Sequence, residues 1–183
     1  MAMSGNGGHT VASMVAMGMT PEHAEVTVAS SPHCGTVLYD KDHFVLYLFS
    51  ADHGSTSTCY GACSSAHGGQ PPLLTKGAPR VAGLNSGLLG TTKRTDGSLQ
   101  VTYAGHPLYY WSGDTAHSIS CQHVRLHGGF WYVVDPNGTA DIAAIVSMPL
   151  AVFAVPFGLT TYQKPPCSFT CWQEIEWAVS PDQ

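Results

Sequence analysis

Tyr47-Leu48-Phe49-Ser50-Ala51-Asp52 returns as Tyr109-Tyr110-Trp111-Ser112-Gly113-Asp114, an offset of 62 residues. Each copy closes a hairpin-like stretch. The first, TVLYDKDHFVLYLFSAD from Thr36, sets apolar residues on both sides of a polar Asp40-Lys41-Asp42-His43 turn, the sequence form of a hairpin. Val45, Tyr47 and Phe49 alternate on one face, which is the period of a strand. The second, SLQVTYAGHPLYYWSGD from Ser98 to Asp114, carries a strand to Tyr103, turns at Ala104-Gly105 and runs on through Tyr109 and Trp111. Internal repetition outranks any single motif. The expected fold is therefore mainly β, with two related antiparallel hairpin modules sharing a core.

Composition agrees with that class. Of 183 residues only 10% are charged, against roughly 25% in an ordinary soluble domain. Short strands and turns suit such a chain better than amphipathic helices do. The formal charge is -5 and no basic run occurs, so a phosphate backbone would find nothing to neutralise it, and nucleic acid is excluded as an expected partner.

Six cysteines fall as Cys34, the pair Cys59 and Cys63, Cys121, and the pair Cys167 and Cys171. An even number in a turn-rich, charge-poor chain points to an oxidising compartment and a disulfide-stabilised fold. In CYGAC three intervening residues let the chain loop back so that the sulfurs of Cys59 and Cys63 meet. CSFTC repeats the spacing at Cys167 and Cys171. Cys34 and Cys121 then remain as long-range partners, although spacing alone does not fix the connectivity.

The chain divides into three parts. Residues 1–33, rich in Gly, Ala, Met and Ser, are expected to form an N-terminal arm or short helix; Met1 to Thr10 carries no Lys or Arg, so no positive leader region is legible there. Residues 34–138 form the β domain, with hairpin copies near 36–52 and 98–114. Between the copies, a helical turn after Cys63 and a strand at Leu88 to Lys93 are expected. A further strand follows at Phe130 to Val134, closed by Asp135-Pro136-Asn137-Gly138.

Residues 139–183 make a C-terminal apolar extension. Within it Ile142 to Leu159 reads IAAIVSMPLAVFAVPFGL, without a charge. The length is marginal for a bilayer, and Pro149 and Pro156 would each disturb a helix. The favoured reading is a buried strand or arm covered by the chain's own module or by a neighbouring subunit. Membrane contact through 142–159 is the alternative.

The residues quoted so far resemble a bacterial family of secreted repeats with a Y-x-[FWY]-x-x-D motif, described as predicted lipoproteins of unknown function. The resemblance covers about Thr36 to Gly138 and includes Ser57 to Cys63 (STCYGAC), Pro71-Pro72-Leu73, Leu88 to Asp114 and Gly128 to Val134 (GGFWYVV). The family places Trp before the double proline, where this chain has Gln70; its second loop carries Cys121, His123 and His127 in place of a Gly-rich stretch. Membership would imply export and a β-rich module, and would leave the biochemical role open.

Two readings compete for the motif residues Tyr47, Phe49, Asp52, Tyr109, Trp111 and Asp114. In the first, the aromatics fill the core while each aspartate accepts backbone N–H bonds from the turn that follows. In the second, the aspartates face a ligand, with His53 after Asp52 and His117 after Asp114. His117, Cys121, His123 and His127 offer sulfur and imidazole, which suit copper or zinc, although their spacing fits no common metal motif. A nucleophile elbow, HExxH, a phosphate loop and a dinucleotide Gly pattern are all missing from the sequence.

The resulting expectation is an exported (periplasmic, cell-surface or extracellular), non-enzymatic binding or structural module of the cell envelope, partnered by another protein or by its own copies. A copper- or zinc-binding or electron-transfer accessory protein is the second reading. A thiol-dependent enzyme, built on a Cys and His pair left unbridged, is the third.

Overall fold

In the computed structural model, residues 10–12, 20–31, 34–120 and 122–140 are described. The N-terminal residues to His9, Ser13 to Met19, Pro32, His33, Cys121 and everything from Asp141 lie outside that set. Readings that fall on Cys121, Cys167, Cys171 or the apolar stretch 142–159 lie there too. No helix among the described residues is long and apolar enough to cross a membrane.

The protein is mainly β. Among the described residues its strands are β1 (Glu25–Ser31), β2 (Gly35–Asp40), β3 (Tyr47–Phe49), β4 (Leu74–Thr75), β5 (Arg80–Val81), β6 (Leu89–Lys93), β7 (Leu99–Tyr103), β8 (His106–Pro107), β9 (Val124–Leu126) and β10 (Gly129–Val133), with a 3-10 turn at Ser86–Leu88. They form sheets ordered β2-β1-β5, β3-β10-β9 and β4-β7-β6, with β8 on β7. Glu25–Ser31, inside the stretch read from sequence as an arm, is a full strand. Val26, Thr27 and Val28 give it β-branched character, and it pairs antiparallel with β2 from Val26↔Asp40 to Ser31↔Gly35.

The turns follow from local chemistry. Asp40 Oδ1 accepts the amides of Asp42 and Phe44, each at 2.9 Å, while His43 takes the left-handed conformation at φ 67°. In the second copy Ala104 and Gly105 are both left-handed, at φ 48° and 81°, the backbone that joins two strands without splaying them. His43 and Gly105 stand 62 residues apart, as the motifs do.

Burial exceeds what the alternation predicts. Val45, Tyr47 and Phe49 pack in one cluster with Val37, Tyr39 and Trp131, while Leu46 and Leu48 pack in another with Leu38, Val101 and Tyr103. The β3 segment therefore has no solvent face. A strand in that position needs neighbours on both sides, and the two copies supply them to each other.

Tyr47 and Tyr109 form an antiparallel bridge, with Tyr47 N donating to Tyr109 O and Tyr109 N to Tyr47 O, both at 2.9 Å. Equivalent residues that bond each other reciprocally define an approximate local twofold. The trailing strands then cross over. β10, which follows the second motif, pairs with β3 of the first through Val133↔Tyr47 and Trp131↔Phe49. The segment after the first motif lies against the second: Leu73 N donates to Leu108 O at 2.9 Å and Tyr110 N to Pro71 O at 2.8 Å. Gly129 permits the close approach, since a Cβ there would lie 2.6 Å from Phe49 Cε2.

Candidate functional site: the exchanged tyrosine–aspartate pairs

The motif tyrosines and aspartates bond across the copies. Tyr47 Oη donates to Asp114 Oδ2 at 2.8 Å, and Tyr109 Oη to Asp52 Oδ2 at 2.8 Å. The other oxygen of each carboxylate serves the loop that follows it. Asp52 Oδ1 accepts Thr58 N at 2.7 Å, and Asp114 Oδ1 accepts Ser120 N at 3.1 Å. Thr58 and Ser120 again stand 62 residues apart. A third pair crosses the same way: Tyr110 Oη donates to Asp40 Oδ2 at 2.9 Å.

Around these pairs the aromatic members close the core. Phe49 stacks on Trp131 with ring centroids 4.2 Å apart, and Tyr109 meets the same indole edge-on at 5.2 Å. Trp111 of the second copy lies 6.4 Å from Tyr47 of the first. Tyr47 and Tyr109 are both fully buried.

Burial sets the electrostatics. Desolvation pushes the Tyr109 and Tyr110 hydroxyls above the ordinary phenol range, so both stay protonated as donors. Asp40 and Asp52 are also raised by burial, and bonds from their amide and tyrosine partners oppose the rise. Asp114, fully buried, is pushed up to about 6, chiefly by desolvation; the Ser120 and Tyr47 bonds oppose this only in part.

Arg94 separates the two ends, and sequence reading missed it. Its guanidinium is 4% exposed and donates through Nη1 to Gln100 Oε1 at 2.6 Å and Ser57 Oγ at 2.9 Å, and through Nη2 to the Cys59 carbonyl at 2.7 Å. It also sits 4.3 Å over the Tyr60 ring. Tyr109 Oη is 2.8 Å from both Asp52 Oδ2 and Ser57 Oγ. With one proton on each hydroxyl, Ser57 accepts from Arg94 and donates to Tyr109, which donates to Asp52. The Arg94 charge opposes the rise at Asp52. An arginine beside a KRTDG turn reads as a solvated residue, and no sequence signal separates it from one.

Cys59 and Cys63 form a disulfide with Cα atoms 5.3 Å apart. Cys34 is also disulfide-bonded, and its partner is neither of those two. Both bonds sit in or beside the cluster that holds Tyr47 and Tyr109.

The histidines of the metal reading go to different places. His117 stacks on His43 with centroids 4.5 Å apart, and its amide donates to the His43 carbonyl at 2.8 Å. His123 lies on the rings of Phe130 and Tyr132, at 5.0 and 5.4 Å. His127 occupies the β9–β10 turn at φ 55°. No group of three His, Cys, Asp or Glu side chains placed to hold a metal occurs among the described residues, and Cys121 is not one of these. His53 pairs through its backbone with Thr56.

Residues 90–135, which contain most of β6 and all of β7, the second motif and β10, match the model of a family described as a secreted repeat of unknown function. No curated protein matches the chain. No solved structure matches it either.

Proposed function

We propose that the chain is an exported, non-enzymatic binding or structural module of the cell envelope, working in contact with another protein or with its own copies. One observation carries this reading: the polar groups of the repeated motif are spent on each other. Tyr47 and Asp114 are fully buried and mutually bonded, and a phenol that donates to a buried carboxylate has no substrate-facing role to play. The motif builds a scaffold, leaving recognition to the loops and strand edges around it. The match of residues 90–135 to secreted repeats supports export, as does the Cys59–Cys63 disulfide.

The test is fractionation and in-cell crosslinking of the tagged full chain in the organism that encodes it. The reading expects the chain outside the cytoplasmic membrane, crosslinked to a protein partner or to itself. A reduced, cytoplasmic monomer without crosslinks would overturn it.

A further inference from the structure

Two sheets end at a shared cleft. The β2-β1-β5 sheet stops at β5 and the β4-β7-β6 sheet at β6. Between these strands lies an open cleft of about 780 Å³, lined by Ala78, Arg80 and Val81 on one side and by Ser86, Leu89 and Thr91 on the other. That volume is within the usual size of ligand sites.

The backbone of β6 is prepared for a further strand. Ala104 N donates to Leu88 O and Arg94 N to Ser98 O, which fixes the alternation of the β6–β7 ladder. By that alternation Thr91 and Lys93 turn their amides and carbonyls away from β7, toward the free edge. On the opposite wall Arg80 N and Ala82 N bond β1, so Val81 presents its own amide and carbonyl outward. Pro79 has no donor to offer, leaving β6 as the edge with an unbroken ladder.

Charge selects the occupant. Arg80 is the one charged residue lining the cleft and is exposed. Glu25 of β1 is the register partner of Arg80, but the one ion pair among the described residues joins Lys41 to Asp42, so Arg80 forms none with it. Lys93, also exposed, extends the positive end along β6.

We propose that the β5–β6 cleft binds an extended peptide segment of a partner protein, which adds a strand to β6 through Thr91 and Lys93 and sets an Asp or Glu side chain against Arg80. This deepens the binding-module reading above and rests on it.

The test uses the full-length, oxidised, isotope-labelled chain and two capped peptides, acetyl-Val-Glu-Val-Glu-Val-amide and acetyl-Val-Lys-Val-Lys-Val-amide. Amide NMR titration should shift Val81, Thr91 and Lys93 saturably with the Glu peptide. The Lys peptide should bind about fivefold more weakly, the scale of one exposed ion pair. Arg80→Gln should abolish that preference while leaving the spectrum of the two motif copies unchanged. Unmoved Val81, Thr91 and Lys93 amides, or equal binding of both peptides to the unsubstituted chain, would overturn the proposal. The crosslinking experiment above stands apart: partners captured equally by the Arg80→Gln chain would sink this site alone, and the wider reading would stand.

Discussion

Tyr47 gives its hydroxyl proton to Asp114, 67 residues away, and not to Asp52, which closes its own copy of the motif. Asp52 lies in the turn that ends β3, its amide bonded to the Phe49 carbonyl at 3.1 Å, and its carboxylate is taken by Thr58 and by Tyr109 of the other copy. Bridging Tyr47 to Tyr109 brings the other copy's carboxylate within reach. The motif spacing is thus satisfied only when two copies interlock, which is why a single copy would leave two buried polar groups unpaired.

Stability should fall as pH rises through the range set by Asp114. Its carboxyl is raised from 3.8 to about 6, so between those values the folded chain holds a proton that the unfolded chain has released. Folding is then penalised progressively as pH rises, and above about 6 the full cost stands at about 3 kcal/mol. Tyr47 of β3 and the Ser120 hydroxyl and amide face the group, and Tyr39 of β2 lies in its field. Asp114→Asn keeps the shape and removes the titration. Urea unfolding of both proteins should show the wild type gaining stability relative to Asp114→Asn as pH falls from 7 to 4; a pH-independent difference would contradict the assignment.

Replacing Arg94 should damage the first copy more than an ordinary surface arginine would. Arg94→Met removes the donor to Ser57, Gln100 and the Cys59 carbonyl and should cost about 3 kcal/mol. Arg94→Lys should recover only part of this, because one ammonium cannot reproduce the planar fork. Chemical denaturation with matched m-values measures both.

Non-reducing peptide mapping should recover Cys59 joined to Cys63 and Cys34 joined to Cys121. The repeat gives the reason for the second bond. Cys121 stands 62 residues after Cys59, but the position matching Cys63 is Arg125, so no local partner exists. Ile119 packs against the same cluster as Cys34. Replacing Cys59 and Cys63 together by Ala should cost roughly 2 kcal/mol, the value for so short a loop.

Gln70 is fully buried, and neither its Nε2 nor its Oε1 has a hydrogen-bond partner. A buried amide left unpaired costs about 1 to 3 kcal/mol. Gln70→Met should therefore raise the melting temperature, and a lowered one would show that the amide is bonded in solution.

Much of the scaffold was legible in the sequence, for local reasons. The Asp40 turn, the Ala104-Gly105 turn, the strand ending at Lys93 and the CYGAC loop are written in contiguous residues, and each forms as such. What contiguous residues do not carry is direction across the repeat. Nothing near Tyr109 announces Asp52 as its acceptor, and nothing near β10 announces β3 as its partner. β1 was hidden for a related reason: EVTVASS buries only Val26 fully, so no clear apolar pattern marks it until β2 pairs with it. Arg94 was hidden because its acceptors come from two segments that only the fold brings together, Ser57 to Cys59 and Gln100 of β7. Of the candidate site, the tyrosines, aromatics and aspartates could be named in advance, but not who bonds whom.

The interlock itself is tested most directly by double-mutant cycles on folding stability. Tyr47→Phe with Asp114→Asn, and Tyr109→Phe with Asp52→Asn, should each show a coupling of about 1 to 3 kcal/mol, the range for a hydrogen bond to a charged group. The within-copy cycles, Tyr47 with Asp52 and Tyr109 with Asp114, should be additive to within about 0.5 kcal/mol. Coupling confined to the within-copy pairs would mean that each hairpin keeps its own tyrosine and aspartate, and the exchanged architecture would be wrong.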